Sequence, residues 1–289
     1  MIFLGTAAGD LIPSPFCECP ICAAARKSGE RRHKRYHSML LLDEENLIDF
    51  GPELGAACIE FGLSLSRLRN VFLTHFHEDH FAFSLLPLLQ MARTDHPKLT
   101  FWMSAPARAA IEGLLKSAGA MGSEALTLQI AKMAPYYTFR TLEAYVETAV
   151  DDMRVLPVAG HHPGYGRKEQ ALNYLFTLAD GRRLLYACDT GLYPARTLEA
   201  LAGQKADLVV MEMTFGSTVR APGDHHLAGE TFVSQLRALL ACGAVREDAL
   251  VYASHIGHKT EWDDDALTRY LAENAPVRAH LAYDGLEIE

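Results

Sequence analysis

Apolar residues fall along this chain in short blocks separated by polar turns. MIFLGTA, SMLLL and NLIDF are strand-length apolar runs, and the polar turn DEE joins the second to the third. That spacing predicts strands paired in hairpins. NVFLTH and LTFWMS predict further strands, while Pro52–Glu60, FSLLPLLQMAR and Pro106–Ala118 predict helices, with the FSLLPLL row assigned to the core. Farther along, MRVLPVA, NYLFTLA and RLLYAC predict three strands. DLVVMEM and LVYAS then alternate with helices predicted at Pro194–Leu201, Gly229–Cys242 and Asp263–Asn274, before VRAHLAY and LEIE close the chain. In Gly229–Cys242 the apolar positions Phe232, Leu236 and Leu239 recur at helical spacing. Hairpins first and strand–helix alternation later fit an α/β chain with two mixed sheets face to face and helices outside.

Two stretches break the pattern. Residues 8–37 read as a long irregular loop, and a loop of that length in a compact fold is functional or tied down. Residues 119–150 read as a helix-and-strand insertion that could cover a site or form a homodimer contact. No linker, repeat or low-complexity tract interrupts the chain, so one domain is expected over residues 1–289.

The 289 residues carry a net charge of −9. Such an acidic surface disfavours non-specific nucleic-acid binding, which rests on Lys and Arg, but leaves room for a small phosphorylated substrate held by local positive charge. The N-terminal residues MIFLGTAAGD lack a basic segment and meet Asp10 early, so no signal peptide is expected. No apolar run approaches the ~18 residues of a membrane span. Of six cysteines, Cys58, Cys188 and Cys242 are scattered in apolar contexts, with Cys188 read as packing. This usage suits a reducing cytoplasm, where clustered cysteines bind metal more often than they cross-link.

The strongest chemical signal is Thr74-His75-Phe76-His77-Glu78-Asp79-His80, which follows the apolar strand NVFL. His75 and His77 are two apart, so an extended backbone sends both to one side. Imidazoles together with carboxylates suit zinc, manganese or iron(II). A second cluster is FCECPIC, where Cys17, Cys19 and Cys22 supply three sulfurs. A tetrahedral metal site wants a fourth ligand, and none lies close by in sequence. No G-x-S-x-G nucleophile motif is present.

THFHEDH resembles the H-x-H-x-D-H signature of the metallo-β-lactamase superfamily, and the resemblance extends nearly end to end. VLPVAGHH supplies the next histidine, LLYACDTG an aspartate and VYASHIGH a last histidine, in the family's order. The resemblance implies an αββα sandwich with two divalent cations, zinc or manganese or iron. One would take His75, His77 and either His161 or His162; Pro163 resembles an H-x-P pattern that favours His161. The other would take Asp79, His80 and His255, with Asp189 bridging. A hydroxide shared between them would be the nucleophile of a hydrolase.

In one branch of the superfamily, C-x-C-x-x-C and the second histidine of H-I-G-H build a structural zinc site; Cys17, Cys19, Cys22 and His258 match it. That branch is typified by the phosphodiesterase of the carbon–phosphorus lyase pathway, and it implies action on a small, including cyclic, phosphate ester. There a histidine of the loop corresponding to Asp224-His225-His226-Leu227 contacts the phosphate or assists the leaving group. His226 matches best as the acid, with His225 as a substrate contact. In the basic run Arg31-Arg32-His33-Lys34-Arg35, Arg35 is the candidate phosphate contact because it adjoins the strand feeding the site. The competing readings are an iron oxygenase like protein B of pyrroloquinoline quinone biosynthesis, an RNA-processing nuclease, and a metal-binding protein without turnover.

Overall fold

A computed structural model describes residues 1–120, 131–219, 221 and 224–289. Two mixed sheets pack face to face with helices on their outer faces, the αββα sandwich. The first sheet runs, edge to edge, β1 (Ile2–Gly5), β2 (Met39–Leu41), β3 (Asn46–Ile48), β4 (Asn70–Phe72), β5 (Leu99–Met103) and β6 (Tyr137–Thr141). Its first two pairings are antiparallel and the remaining three parallel. The second sheet contains β7 (Thr148–Val150), β8 (Met153–Pro163), β9 (Gln170–Thr177), β10 (Arg183–Ala187), β11 (Ala206–Glu212), β12 (Val245–Ser254) and β13 (Ala279–Leu281) in sequence order. Antiparallel pairing from β7 to β10 gives way to parallel pairing from β10 to β13.

The apolar runs are continuous because both faces of each sheet are covered. Alternation shows in where neighbours go. Val71 packs outward and Phe72 inward; Leu184 and Tyr186 face the other sheet, while Leu185 and Ala187 face the outer helices. Phe3, Ile48, Phe72, Phe176, Tyr186 and Val210 meet in the layer between the sheets. The outer face of the first sheet is covered by α2 (Leu54–Phe61) and α4 (Ala105–Ala120) through Leu54, Ala57, Ala107 and Ile111. The second is covered by α5 (Ala195–Leu201), α6 (Gly229–Ala241) and α7 (Asp264–Asn274), with Phe232, Leu236 and Leu239 buried as their spacing predicts.

Several expectations change. The 8–37 loop contains α1 (Pro20–Lys27) and a 3₁₀ turn at Arg31–His33. FSLLPLLQMAR is not one core helix. It splits into a 3₁₀ turn at Phe83–Leu85 and α3 (Pro87–Met91), because Pro87 has no N–H and restarts the helix at its first position. Only Leu86 of that row is fully buried, and Leu88 is 55% exposed. Residues 137–150 hold β6 and β7, while the part of the expected insertion at 121–130 lies outside the described residues. LEIE forms no named strand; Glu287 makes an isolated bridge to Ile2. No helix among the described residues is long and apolar enough to cross a membrane.

Candidate metal centre

The site lies in a cavity of about 460 Å³ at one end of the sandwich, where the C-terminal ends of β3, β4, β8, β10, β11 and β12 converge. Asp49, Asp189 and His255 each follow a strand closely and have left-handed backbones (φ of 62°, 52° and 54°). Non-glycine residues avoid this conformation at a cost of about 1 kcal/mol or more. Here it turns each side chain off its strand and into the cleft.

Two groups of ligand atoms form, each with members within 4.8 Å of one another: His75, His77 and His162, and Asp79, His80, Asp189 and His255. Their orientation is set from behind. His80 Nδ1 lies 2.8 Å from Asp49 Oδ2, and the Thr74 hydroxyl, which donates to Asp49, is left to accept from His75 Nδ1. The Thr214 hydroxyl donates to Glu212 and accepts from His255 Nδ1 at 2.8 Å. The Nε2 atoms of His80 and His255 therefore face inward, 2.6 and 3.1 Å from Asp189 Oδ2. All three inward atoms are buried and none has an acceptable hydrogen bond. A ring nitrogen whose other nitrogen already donates meets a carboxylate oxygen either through an added proton of its own or through a shared cation. The donor set thus fits divalent metals, and the outer hydrogen bonds are those that orient metal-binding imidazoles.

Burial lowers the pKa of His80, but Asp79, Asp49 and Asp189 outweigh it and raise it well above the usual imidazole range. Burial would raise Asp189, yet His255 and His80 hold it well below the usual carboxylate range. His75 is pushed well down, first by burial and then by His80, and burial likewise brings His162 to about 4.

The structure places His162, not the expected His161, with His75 and His77. Its ring centroid is 4.9 Å from His75 and 5.2 Å from His77. Neighbours on a strand project to opposite sides, so His161 points away, against His225 at 5.0 Å. Next in the loop, His225 is exposed and its Nδ1 meets the His161 carbonyl, whereas His226 lines the cavity. His226 Nδ1 lies 3.0 and 3.2 Å from the two oxygens of Glu212. Burial opposes its protonation, but Glu212, Asp189 and Asp79 prevail and raise its pKa to about 9.

Arg35 is corrected more sharply. It is 2% exposed, donates to Thr6 Oγ1 and the Ala282 carbonyl, and pairs with Asp264 at 3.1 Å. Its guanidinium is committed to the fold and does not line the cavity.

Cys17, Cys19, Cys22 and His258 do converge, their ligand atoms within 4.8 Å of one another. Cys19 caps α1 and accepts from the Cys22 N–H, which gathers these sulfurs at one helix end. His258 Nδ1 is 3.5 Å from Cys19 Sγ, and its Nε2 is 3.1 Å from Asp10 Oδ2. Three sulfurs and a nitrogen backed by a carboxylate are the donor set of a tetrahedral structural zinc. Burial opposes ionisation of Cys19, but the Cys22 N–H, His258 and Cys17 lower its pKa to about 7; burial drives Cys22 up to about 12.

Asp49, Glu212, Asp10, His37 and Tyr165 also belong to these surroundings and were not expected. Asp49 and Glu212 left a signal, since each is a carboxylate ending an apolar strand, NLID and DLVVME. His37, which lines the cavity and lies 2.6 Å from Glu53, left none.

Inward imidazoles and carboxylates at the mouth of an αββα sandwich are the mark of a superfamily whose members are mostly metal-dependent hydrolases. The chain belongs to the β-lactamase superfamily: the family model described as "Beta-lactamase superfamily domain" matches residues 47–256. No match was found among curated proteins. Among solved structures, the chain is similar to a "New Diphosphatase from the PhnP Family" (18% identity, 99% of this chain and 95% of that one, TM-score 0.71). It is also similar to Zn²⁺-bound PqqB from Methylobacterium extorquens (18% identity, 100% and 99%, TM-score 0.72). Human tRNase Z, short form, is a third (16% identity, 100% and 98%, TM-score 0.60). At these identities the likeness concerns the fold.

Proposed function

We propose that this chain is a dinuclear-metal-dependent phosphodiesterase acting on a small phosphate ester, including cyclic ones. The observation that carries this reading is Asp189, whose Oδ2 faces His80 and His255 while its carboxylate also groups with His162 and His226. One carboxylate thus lies at the junction of a three-histidine and an Asp/His set, as a bridging ligand must. His75, His77 and His162 would hold one cation, and Asp79, His80 and His255 the other. Together they would supply Lewis acidity and a water acidic enough to attack at neutral pH.

The chain's own residues do the rest. Asp49, Thr74 and Thr214 fix the inward imidazoles. His226 holds the proton: Nδ1 is committed to Glu212, so Nε2 is left to protonate a leaving oxygen in the cavity, worth roughly 10²–10⁴-fold in rate. Cys17, Cys19, Cys22 and His258 would hold a structural zinc that ties the 8–37 loop to the segment after β12. Phosphoesters are favoured because two structural neighbours carry the names diphosphatase and tRNase Z. The six free cysteines suit a reducing compartment such as the cytoplasm.

The test is metal content together with turnover of bis(p-nitrophenyl) phosphate in Mn²⁺ or Zn²⁺. Three metals per chain are expected, with turnover lost in Asp79→Ala and kept in Cys19→Ser at lower stability. Metal-loaded protein that cleaves no phosphodiester would refute the reading, and bound iron without hydrolysis would favour the oxygenase alternative.

A further inference from the structure

Tyr165 lines the cavity yet is 64% exposed, an unusual position for a large aromatic residue. Its ring rests on His77, with centroids 4.3 Å apart, and meets the edge of Phe76 at 6.0 Å. The loop that carries it is clamped rather than free. Glu169, 3% exposed, accepts the N–H groups of Phe76 at 2.8 Å and Gly166 at 2.7 Å. The Tyr165 N–H then donates to the Phe76 carbonyl at 3.1 Å, so both backbone groups of Phe76 are held by this loop. Side chains are excluded on either side of the tyrosine. A Cβ at Gly164 would lie 2.3 Å from the Glu169 carboxyl carbon, and one at Gly166 2.7 Å from the Pro106 carbonyl oxygen. The fold therefore holds a bare aromatic face at the mouth of the candidate metal centre, where packing alone would have covered it. Beside it, the exposed Glu78 adds negative charge, and among the described residues no lysine or arginine lines the cavity.

We propose that Tyr165 is a stacking platform for a planar group on the substrate, so that the ester accepted here bears a nucleoside or similar aromatic moiety. This rests on the phosphodiesterase reading and narrows its substrate class. Stacking of a base on an aromatic side chain changes affinity about 5- to 150-fold on truncation.

The experiment measures binding of adenosine 5′-monophosphate and of ribose 5-phosphate to the metal-loaded protein by calorimetry, for wild type, Tyr165→Ala and Tyr165→Phe. Wild type should prefer the nucleotide. Tyr165→Ala should weaken nucleotide binding by that factor and leave the sugar phosphate unchanged, and Tyr165→Phe should behave as wild type. Equal loss for both ligands, a Phe variant as weak as Ala, or no preference in wild type would each overturn the platform. Turnover of bis(p-nitrophenyl) phosphate by wild type, measured in parallel, separates the outcomes. Turnover without base preference refutes the platform alone; no turnover refutes the underlying reading.

Discussion

Replacing Glu212 with glutamine removes one charge from a fully buried side chain whose recorded partners are all donors. The Thr190 N–H reaches Oε1 at 2.6 Å, the Leu227 N–H reaches Oε2 at 3.1 Å, the Thr214 hydroxyl donates to Oε2, and His226 Nδ1 lies near both. Whichever way the amide turns, its NH₂ meets a backbone N–H, a mismatch of about 1–3 kcal/mol. The second effect is electrostatic. Glu212 is the largest influence that raises His226 from 6.5 to about 9. Complete loss of that shift is worth about 3 kcal/mol, and less to the extent that Asp189 and Asp79 sustain it. A histidine with a raised folded-state pKa gives stability that is complete below pH 6.5 and is lost as pH climbs through about 9. Wild type should therefore exceed Glu212→Gln most at low pH, and the gap should shrink by up to about 3 kcal/mol by about pH 10. Urea denaturation of both metal-stripped proteins at about pH 6 and about pH 10 measures this difference of differences. A gap that does not change with pH would refute the ion-pair assignment and leave only the hydrogen-bond mismatch.

Three further outcomes follow from the geometry. His162→Ala should lose one catalytic metal by elemental analysis and most turnover, whereas His161→Ala should keep both; the reverse pattern would make His161 the ligand. Asp10→Asn should weaken structural zinc roughly 10- to 100-fold in a chelator competition, because the group orienting His258 is altered, with the catalytic metals retained; unchanged competition would remove Asp10 from that role. Arg35→Met should lower unfolding free energy by about 1–3 kcal/mol, since the buried hydrogen bonds to Thr6 and the Ala282 carbonyl are lost and the half-buried Asp264 loses its partner, with KM unchanged; a raised KM at intact stability would restore Arg35 as a substrate contact.

The centre was legible in sequence where its information is local or sits at a strand end. THFHEDH places four potential ligands in one short turn, and Asp189 and His255 close apolar runs. His161 and His162 are chemically identical neighbours, so only the path of β8, which is irregular against β9 between Ala159 and Pro163, separates them. Arg35 was misread for a related reason: a run of five basic residues shows charge but not which member folds under. Its actual partners, Thr6, Ala282 and Asp264, come from distant parts of the chain. FSLLPLL read as core because apolar density was counted without allowing for the break at Pro87. Tyr165 gave no signal, since its importance depends on Glu169 and on the cavity it borders. The two sheets were legible because their strands are apolar on both faces.

The two candidate metal sites differ in how their ligands are distributed along the chain. THFHEDH hangs from the first sheet, whereas His162, Asp189 and His255 hang from the second. No unfolded conformation holds that set together, so cations bound there would favour the native state by mass action, by about 2.7 kcal/mol at a hundred times Kd. In effect they would be rivets between the two sheets. Cys17, Cys19 and Cys22 stay neighbours in the unfolded chain, and only His258, 239 residues from Cys19, must be gathered by folding. Zinc held by the three sulfurs alone would bind the unfolded chain too, and that residual affinity subtracts from its stabilising effect. Chelation should therefore loosen the contact between the sheets more through the histidine centre than through the thiols, although zinc–sulfur ligation at the thiol site is the stronger chemistry.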